Sequence, residues 1–157
     1  MADYGKAFEA KFKEDFLKIP GATIDRLYDP VGGLHGVRNI CDFIGYKYPH
    51  IVYAECKTVK GNTFPLTNLT QYEKLMAKVD VPGAIVGVFL WFYEHEDAVL
   101  FVPITTFRKL KEDGKKSYSI KMVGGNEYPS IKIPSVKKRT FYDSDYSVIF
   151  SGKVVDS

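Results

Sequence analysis

Between Asn39 and Lys57 the chain reads N-I-C-D-F-I-G-Y-K-Y-P-H-I-V-Y-A-E-C-K, setting two acids and a lysine, Asp42, Glu55 and Lys57, among apolar and aromatic neighbours. A half-buried carboxylate pair repels itself unless a cation lies between the two groups. A hard divalent metal is the simplest such cation, because carboxylate oxygens are its preferred ligands. The spacing D-x12-E-x-K is weakly specific on its own, and the same residues also fit a hairpin whose solvent face carries a Glu–Lys couple and an unrelated Asp.

Two runs rich in β-branched and aromatic residues, 40–46 and 51–58, flank the polar segment 47–50, which contains Pro49. This predicts a hairpin. Side chains alternate along a strand, so Asp42, Ile44 and Tyr46 share one face, as do Tyr53, Glu55 and Lys57. Cys41 and Phe43, with Ala54 and Cys56, take the other. The hairpin therefore brings both acids and the lysine together.

Upstream, Phe8, Phe12 and Phe16 recur at helical spacing over residues 5–18, with Asp3 as N-cap and Pro20-Gly21 as the stop. Glu9 lies beside that stripe and so either faces a site at the core's edge or is an ordinary solvated helical Glu. Residues 23–28 read as a first strand and the glycine-rich 29–36 as a loop holding His35, a surface or phosphate-contacting histidine rather than a general base. Downstream come a loop over 59–66 and a helix over 68–79, with Gln71 near its start. The N–H groups of that helix start could hold phosphate oxygens. Strands follow over 83–92 and 98–102, then a helix over 104–111. Trp91 and Phe92 belong in or at the edge of the sheet, and the remainder reads as basic, turn-rich and poor in strands.

A length of 157 residues with 45% hydrophobic content suits one domain, 1–157, with a full core. No apolar run is long enough to span a membrane, and no segment reads as a signal peptide. Cys41 and Cys56 are the only cysteines, and they read as small buried residues of a reducing cytoplasm, without a second ligand pair for zinc. The net charge is +3, but from Arg108 to Arg139 ten Lys or Arg face three acids. Such an excess favours a polyanion such as DNA, or serves solubility alone.

The order helix, strand, D…E-x-K hairpin, helix, strand resembles the core of the PD-(D/E)xK nuclease superfamily. Within it, Glu55-Cys56-Lys57-Thr58, then Thr63-Phe64-Pro65-Leu66-Thr67-Asn68-Leu69 and Gln71, resemble the RecU-type Holliday junction resolvases, which carry E-x-K-T, T-x-F-P-L-x-N-I and His-Gln there. Gly5 and Glu9 resemble that family's G-x3-E, and the similarity runs to about Tyr118. The resemblance implies an α/β restriction-endonuclease-like core, with a mixed β-sheet flanked by helices. It implies Mg²⁺, with Mn²⁺ as substitute, on Asp42, Glu55 and the Cys56 carbonyl, with Glu9 reaching the same or a second ion. The same resemblance implies that Lys57 orients a water or stabilises developing charge and that Gln71 holds a ligand or that water. The implied substrate is a four-way DNA junction cut by paired nicks from a homodimer, and the implied location is cytoplasmic. Arg38, Lys60, Arg108, Lys115, Lys116, Lys137, Lys138 and Arg139 are candidate contacts to the DNA backbone.

The chain departs from the family at Cys41 and Thr70, where Thr and His are usual. Residues 29–38 are also too few for the relatives' projecting stalk, so the form resembles a compact phage-encoded version. The shortening bears on junction selectivity rather than on cleavage. Two other readings stay open: a nuclease of the same superfamily acting on duplex, flap or other branched DNA, and a non-catalytic DNA-binding module of the same fold.

Overall fold

A computed structural model describes residues 3–28, 39–96, 98–139 and 141–151. The glycine-rich loop over 29–36, with His35 and Arg38, lies outside them. The first helix, α1 (Tyr4–Phe16), starts where the Asp3 carboxylate accepts the Lys6 N–H at 3.0 Å, an N-cap as the sequence predicts. Phe8, Phe12 and Phe16 form its buried stripe. The Phe12 ring meets Phe43, Phe89 and Tyr146 at centroid distances of 5.2, 4.6 and 4.8 Å.

The chain then forms β1 (Thr23–Arg26), β2 (Phe43–Lys47), β3 (His50–Val59), β4 (Thr63–Pro65), α2 (Tyr72–Met76), β5 (Ala84–Phe92), β6 (Val99–Pro103) and α3 (Ile104–Glu112). Four short strands end it: β7 (Ser117–Ser119), β8 (Ile131–Lys132), β9 (Ser135–Lys138) and β10 (Phe141–Ser144). The main sheet has six strands in the order β1-β2-β3-β5-β6-β8. β3 and β5 are parallel, joined by a crossover through β4 and α2, and every other pairing is antiparallel. This is a mixed sheet flanked by helices, as expected. β5 is buried on both faces and reads as an unbroken apolar run for that reason. Ile85, Phe89 and Trp91 pack toward α1, and Val86, Val88, Leu90 and Phe92 toward the side that holds α3.

Three expectations are corrected here. The helix over 68–79 is only a 3₁₀ turn, Leu66–Asn68, and the five-residue α2. Residues 63–65 of the predicted loop pair with β7, and the Lys116 carbonyl accepts the Leu66 N–H at 2.9 Å, so pairing holds backbone that a longer helix would need. Phe64, Leu66 and Leu69 of the F-P-L motif are buried there as anchors. A five-residue helix also lacks the dipole that a phosphate site at its start would call on. The region beyond Lys116 does contain strands, each too short for a period of two to be legible.

Cys41 and Cys56 do not share a face. The regular strand starts only at Phe43, so alternation does not carry back to Cys41, which joins the cluster on the α3 side while Cys56 packs on the α1 side. Both thiols are free and buried, and burial foremost pushes that of Cys41 up to about 12.

Asp15, 2% exposed, ties α1 to β10 by accepting from Lys11 Nζ (2.9 Å), Lys18 Nζ (3.1 Å) and the Ser144 N–H (2.9 Å). Gly87 sits where β5 passes β6: a Cβ there would lie 2.5 Å from the Val102 carbonyl oxygen and 2.7 Å from the Phe101 ring. Gly87→Ala is therefore expected to lower stability by about 1–3 kcal/mol. A shift of the urea midpoint at unchanged slope checks this, and an unshifted midpoint would mean that the strands can part without cost.

Candidate active site

β3 places Tyr53, Glu55 and Lys57 on the α3 side of the sheet, and its neighbour β5 closes beneath them with the register Glu55↔Val88 and Lys57↔Leu90. Glu55 is 1% exposed, and Lys57 Nζ lies 3.3 Å from its Oε2. The other oxygen, Oε1, is buried without a hydrogen-bond partner. Burial first, and the Asp42 charge second, push the Glu55 carboxyl up to about 8 against the opposing pull of Lys57.

Asp42 arrives by another route. The β2–β3 ladder ends at Phe43↔Ala54, leaving the Cys56 N–H beyond the end of β2. Asp42 Oδ2 accepts that N–H at 2.9 Å, which fixes the carboxylate at the strand's edge. In a strand the N–H and C=O of one residue point to the same side, so the Cys56 carbonyl faces the edge that Asp42 occupies.

Arg26, which the sequence reading passed over, connects this corner to α1. Its Nε donates to Glu9 Oε1 at 2.8 Å, and Nη1 donates to the carbonyls of Leu27 and, at 3.2 Å, of Asp42. Nη2 lies 3.7 Å from Asp42 Oδ1. The signal available in sequence was a cation at the end of the strand before the hairpin, since Arg26 pairs with Phe43, one residue from Asp42. Glu9 is thus held by a guanidinium, while burial and then Asp42 raise its carboxyl above the usual range.

Arg26→Ala is expected to cost about 1–3 kcal/mol of stability, because two partly buried carboxylates lose their charged donor. The Glu9 titration should also move further up, since Arg26 is what opposes the rise. Carboxyl chemical shifts against pH read this directly, and a Glu9 titration that stayed put would show the guanidinium to be electrostatically idle.

The other expected site residues are placed as follows. Gln71, in the turn before α2, accepts from Thr70 Oγ1 at 3.0 Å and bonds none of Asp42, Glu55 or Lys57. Lys60 is exposed just past β3, and Arg38 lies outside the described residues. The basic tract is divided by the sheet. Arg108 on α3, with Lys115 and Lys116 beyond it, falls on one side, whereas Lys137, Lys138 and Arg139 belong to the β9–β10 hairpin that packs by α1.

The unpartnered Glu55 oxygen beside the Asp42 carboxylate suits a hard divalent cation: the donors are oxygens, and an ion there would offset the repulsion that raises Glu55. Among the described residues no group of three or more His, Cys, Asp or Glu side chains is arranged as ligands. The donor set is therefore the two acids and backbone. No helix of the described residues is long and apolar enough to cross a membrane.

The fold is a mixed sheet with helices on both faces, and two acids and a lysine stand at the open end of its β2–β3 hairpin. Among solved structures it is shared with Archaeoglobus fulgidus Hjc, a Holliday junction resolvase from an archaeal hyperthermophile, at a TM-score of 0.56 and 19% identity. The match covers 82% of this chain and 95% of that one. No family model matches the chain, and no curated relative does.

Proposed function

We propose that this chain is a metal-dependent, structure-selective endodeoxyribonuclease of the RecU type, which resolves four-way DNA junctions by paired symmetric nicks. One observation carries the reading: a buried Glu55 whose free oxygen faces no partner, with Lys57 on its other oxygen and Asp42 alongside. The fold shared with a resolvase and the E-x-K-T and F-P-L-x-N motifs support it.

In this reading Asp42, Glu55 and the Cys56 carbonyl hold Mg²⁺ or Mn²⁺. Bound there, the ion would supply a water of lowered pKa and neutralise charge at the scissile phosphate. Lys57 orients the attacking water or stabilises the charge that develops, work that suits a compact ammonium on a flexible stem. Glu9, through Arg26, keeps Asp42 in place and would reach the same or a second ion through water. Gln71 would need to turn from Thr70 to take part. A C2 homodimer matches the two-fold symmetry of the junction, and the working location is the cytoplasm.

The test is cleavage of a labelled immobile four-way junction beside a linear duplex of the same sequence, in Mg²⁺ and in EDTA, with Asp42→Asn as control. Paired nicks in the junction alone, lost in EDTA and in the variant, are expected. Equal cutting of both substrates would make it a general nuclease of this fold, and tight binding without cutting a non-catalytic module.

A further inference from the structure

Beside the carboxylates, α1 and β1 enclose an open cleft lined by Lys6, Glu9, Ala10, Lys13, Arg26 and Tyr28. We infer that this cleft seats one strand of the DNA, with its phosphates on Lys6 and Lys13 and an unstacked base on Tyr28. The inference rests on the nuclease reading and adds to it the side from which the strand reaches the site.

Several observations carry it. Lys6, Glu9 and Lys13 fall at helical spacing on one face of α1 and so line the cleft together. Arg26 is committed to Glu9 and Asp42, whereas the Lys6 and Lys13 ammonium groups have no ion-pair partner among the described residues. Their Cα atoms are about 10 Å apart along the helix. That separation lets the two ammonium groups reach two different phosphates of one strand.

Between them Ala10 offers no side chain beyond Cβ, leaving room for a backbone to lie close. Tyr28 is 76% exposed at the cleft's mouth, and Arg26 lies 5.0 Å from its ring centroid. An exposed aromatic beside a line of cations is the arrangement that grips a single strand, the ring taking a base and the cations the backbone. The cleft wall continues through Glu9 and Arg26 to Asp42, so a strand lying in it is led to the sheet edge that Asp42 occupies. The basic tract of 108–139 is instead split between two sides of the sheet, with Lys109 and Lys111 set against the Tyr128 and Tyr72 rings.

The experiment is fluorescence anisotropy of a labelled four-way junction with the full chain, in EDTA so that nothing is cut, across a salt series. Proteins compared are wild type, Lys6→Gln/Lys13→Gln, Ala10→Glu and the control Lys137→Gln/Lys138→Gln. These positions are exposed, and circular dichroism is the check that each variant folds. The double cleft variant should flatten the slope of log K against log salt by about 1.4–1.8, two phosphate contacts' worth. Ala10→Glu should weaken binding about tenfold or more, and the control should change the slope less than the cleft variant does. With 2-aminopurine at the branch point, Tyr28→Ala should lose the stacking quench that wild type gives.

If wild type binds while both cleft variants keep its slope and affinity, the cleft is not the seat, and the nuclease reading stands unaffected. If wild type neither binds nor cuts any of the DNAs, the nuclease reading fails and the cleft assignment with it.

Discussion

Glu55→Gln is expected to abolish cleavage and, in the absence of metal, to make the protein more stable than wild type above neutral pH. The Glu55 carboxyl is held at about 8, far above the ordinary 4.5, by burial and then by Asp42. A group whose folded pKa is raised contributes its stability in full below the unfolded value, and that contribution is lost as pH climbs through the folded one. Wild type in EDTA should therefore weaken between about pH 5 and 9, by up to roughly 1.4 kcal/mol per unit of pH over that window. The glutamine variant carries no proton to lose and should lack that decline.

Divalent metal should reverse the order. An ion that binds the folded chain alone stabilises it by about 2.7 kcal/mol at a hundred times its dissociation constant, and it binds the ionised acid. Wild type should gain this with Mg²⁺ or Mn²⁺, and Glu55→Gln little of it. Cleavage by the variant should fall by at least about 10²–10³-fold, the scale of losing one preorganised group at a charged transition state. Urea midpoints against pH, with and without metal, test the whole chain of argument. Parallel pH profiles would mean that Glu55 is not strained, and an equal gain from metal in both proteins would mean that it is not a ligand.

How much of this could be read from sequence depends on how local each feature is. Tyr53, Glu55 and Lys57 were placed on one face because β3 is a regular strand, where alternation holds. Asp42 was found by its type, but its position depends on the strand ending at Phe43, which the same alternation concealed for Cys41. Arg26 was missed because Glu9 and Asp42 lie 17 and 16 residues from it, and nothing in T-I-D-R marks a bridge between them. The β4–β7 pairing, which shortens the predicted helix, joins Thr63 to Ser119, and no local propensity reports a contact at that separation. The basic tract was legible as charge and misleading as geometry, since contiguity in sequence does not survive a sheet standing between its two halves.

Lys57→Ala separates the two tasks given to that ammonium. As the charge 3.3 Å from Glu55 Oε2, it draws the Glu55 pKa down and so helps the acid ionise. With 30% of its side chain exposed, it also has room to swing toward a phosphate, which the 1% of Glu55 does not allow. Removing it should cut the rate by about 10²–10³-fold at any pH if it stabilises developing charge. Removing it should also move the acidic limb of the pH–rate profile upward, because Glu55 must then ionise without its cation. A lysine serving only Glu55 would show the second effect and recover its rate at high pH. One serving only the phosphate would show the first with the limb unmoved. Lys57→Arg should retain the limb, since the charge persists, and lose part of the rate, since a planar guanidinium fits a compact corner poorly. Were Lys57→Ala to cut at nearly the wild-type rate with an unshifted limb, neither task would belong to this residue, and the reading of Glu55-x-Lys57 as a catalytic unit would fall even with the fold intact.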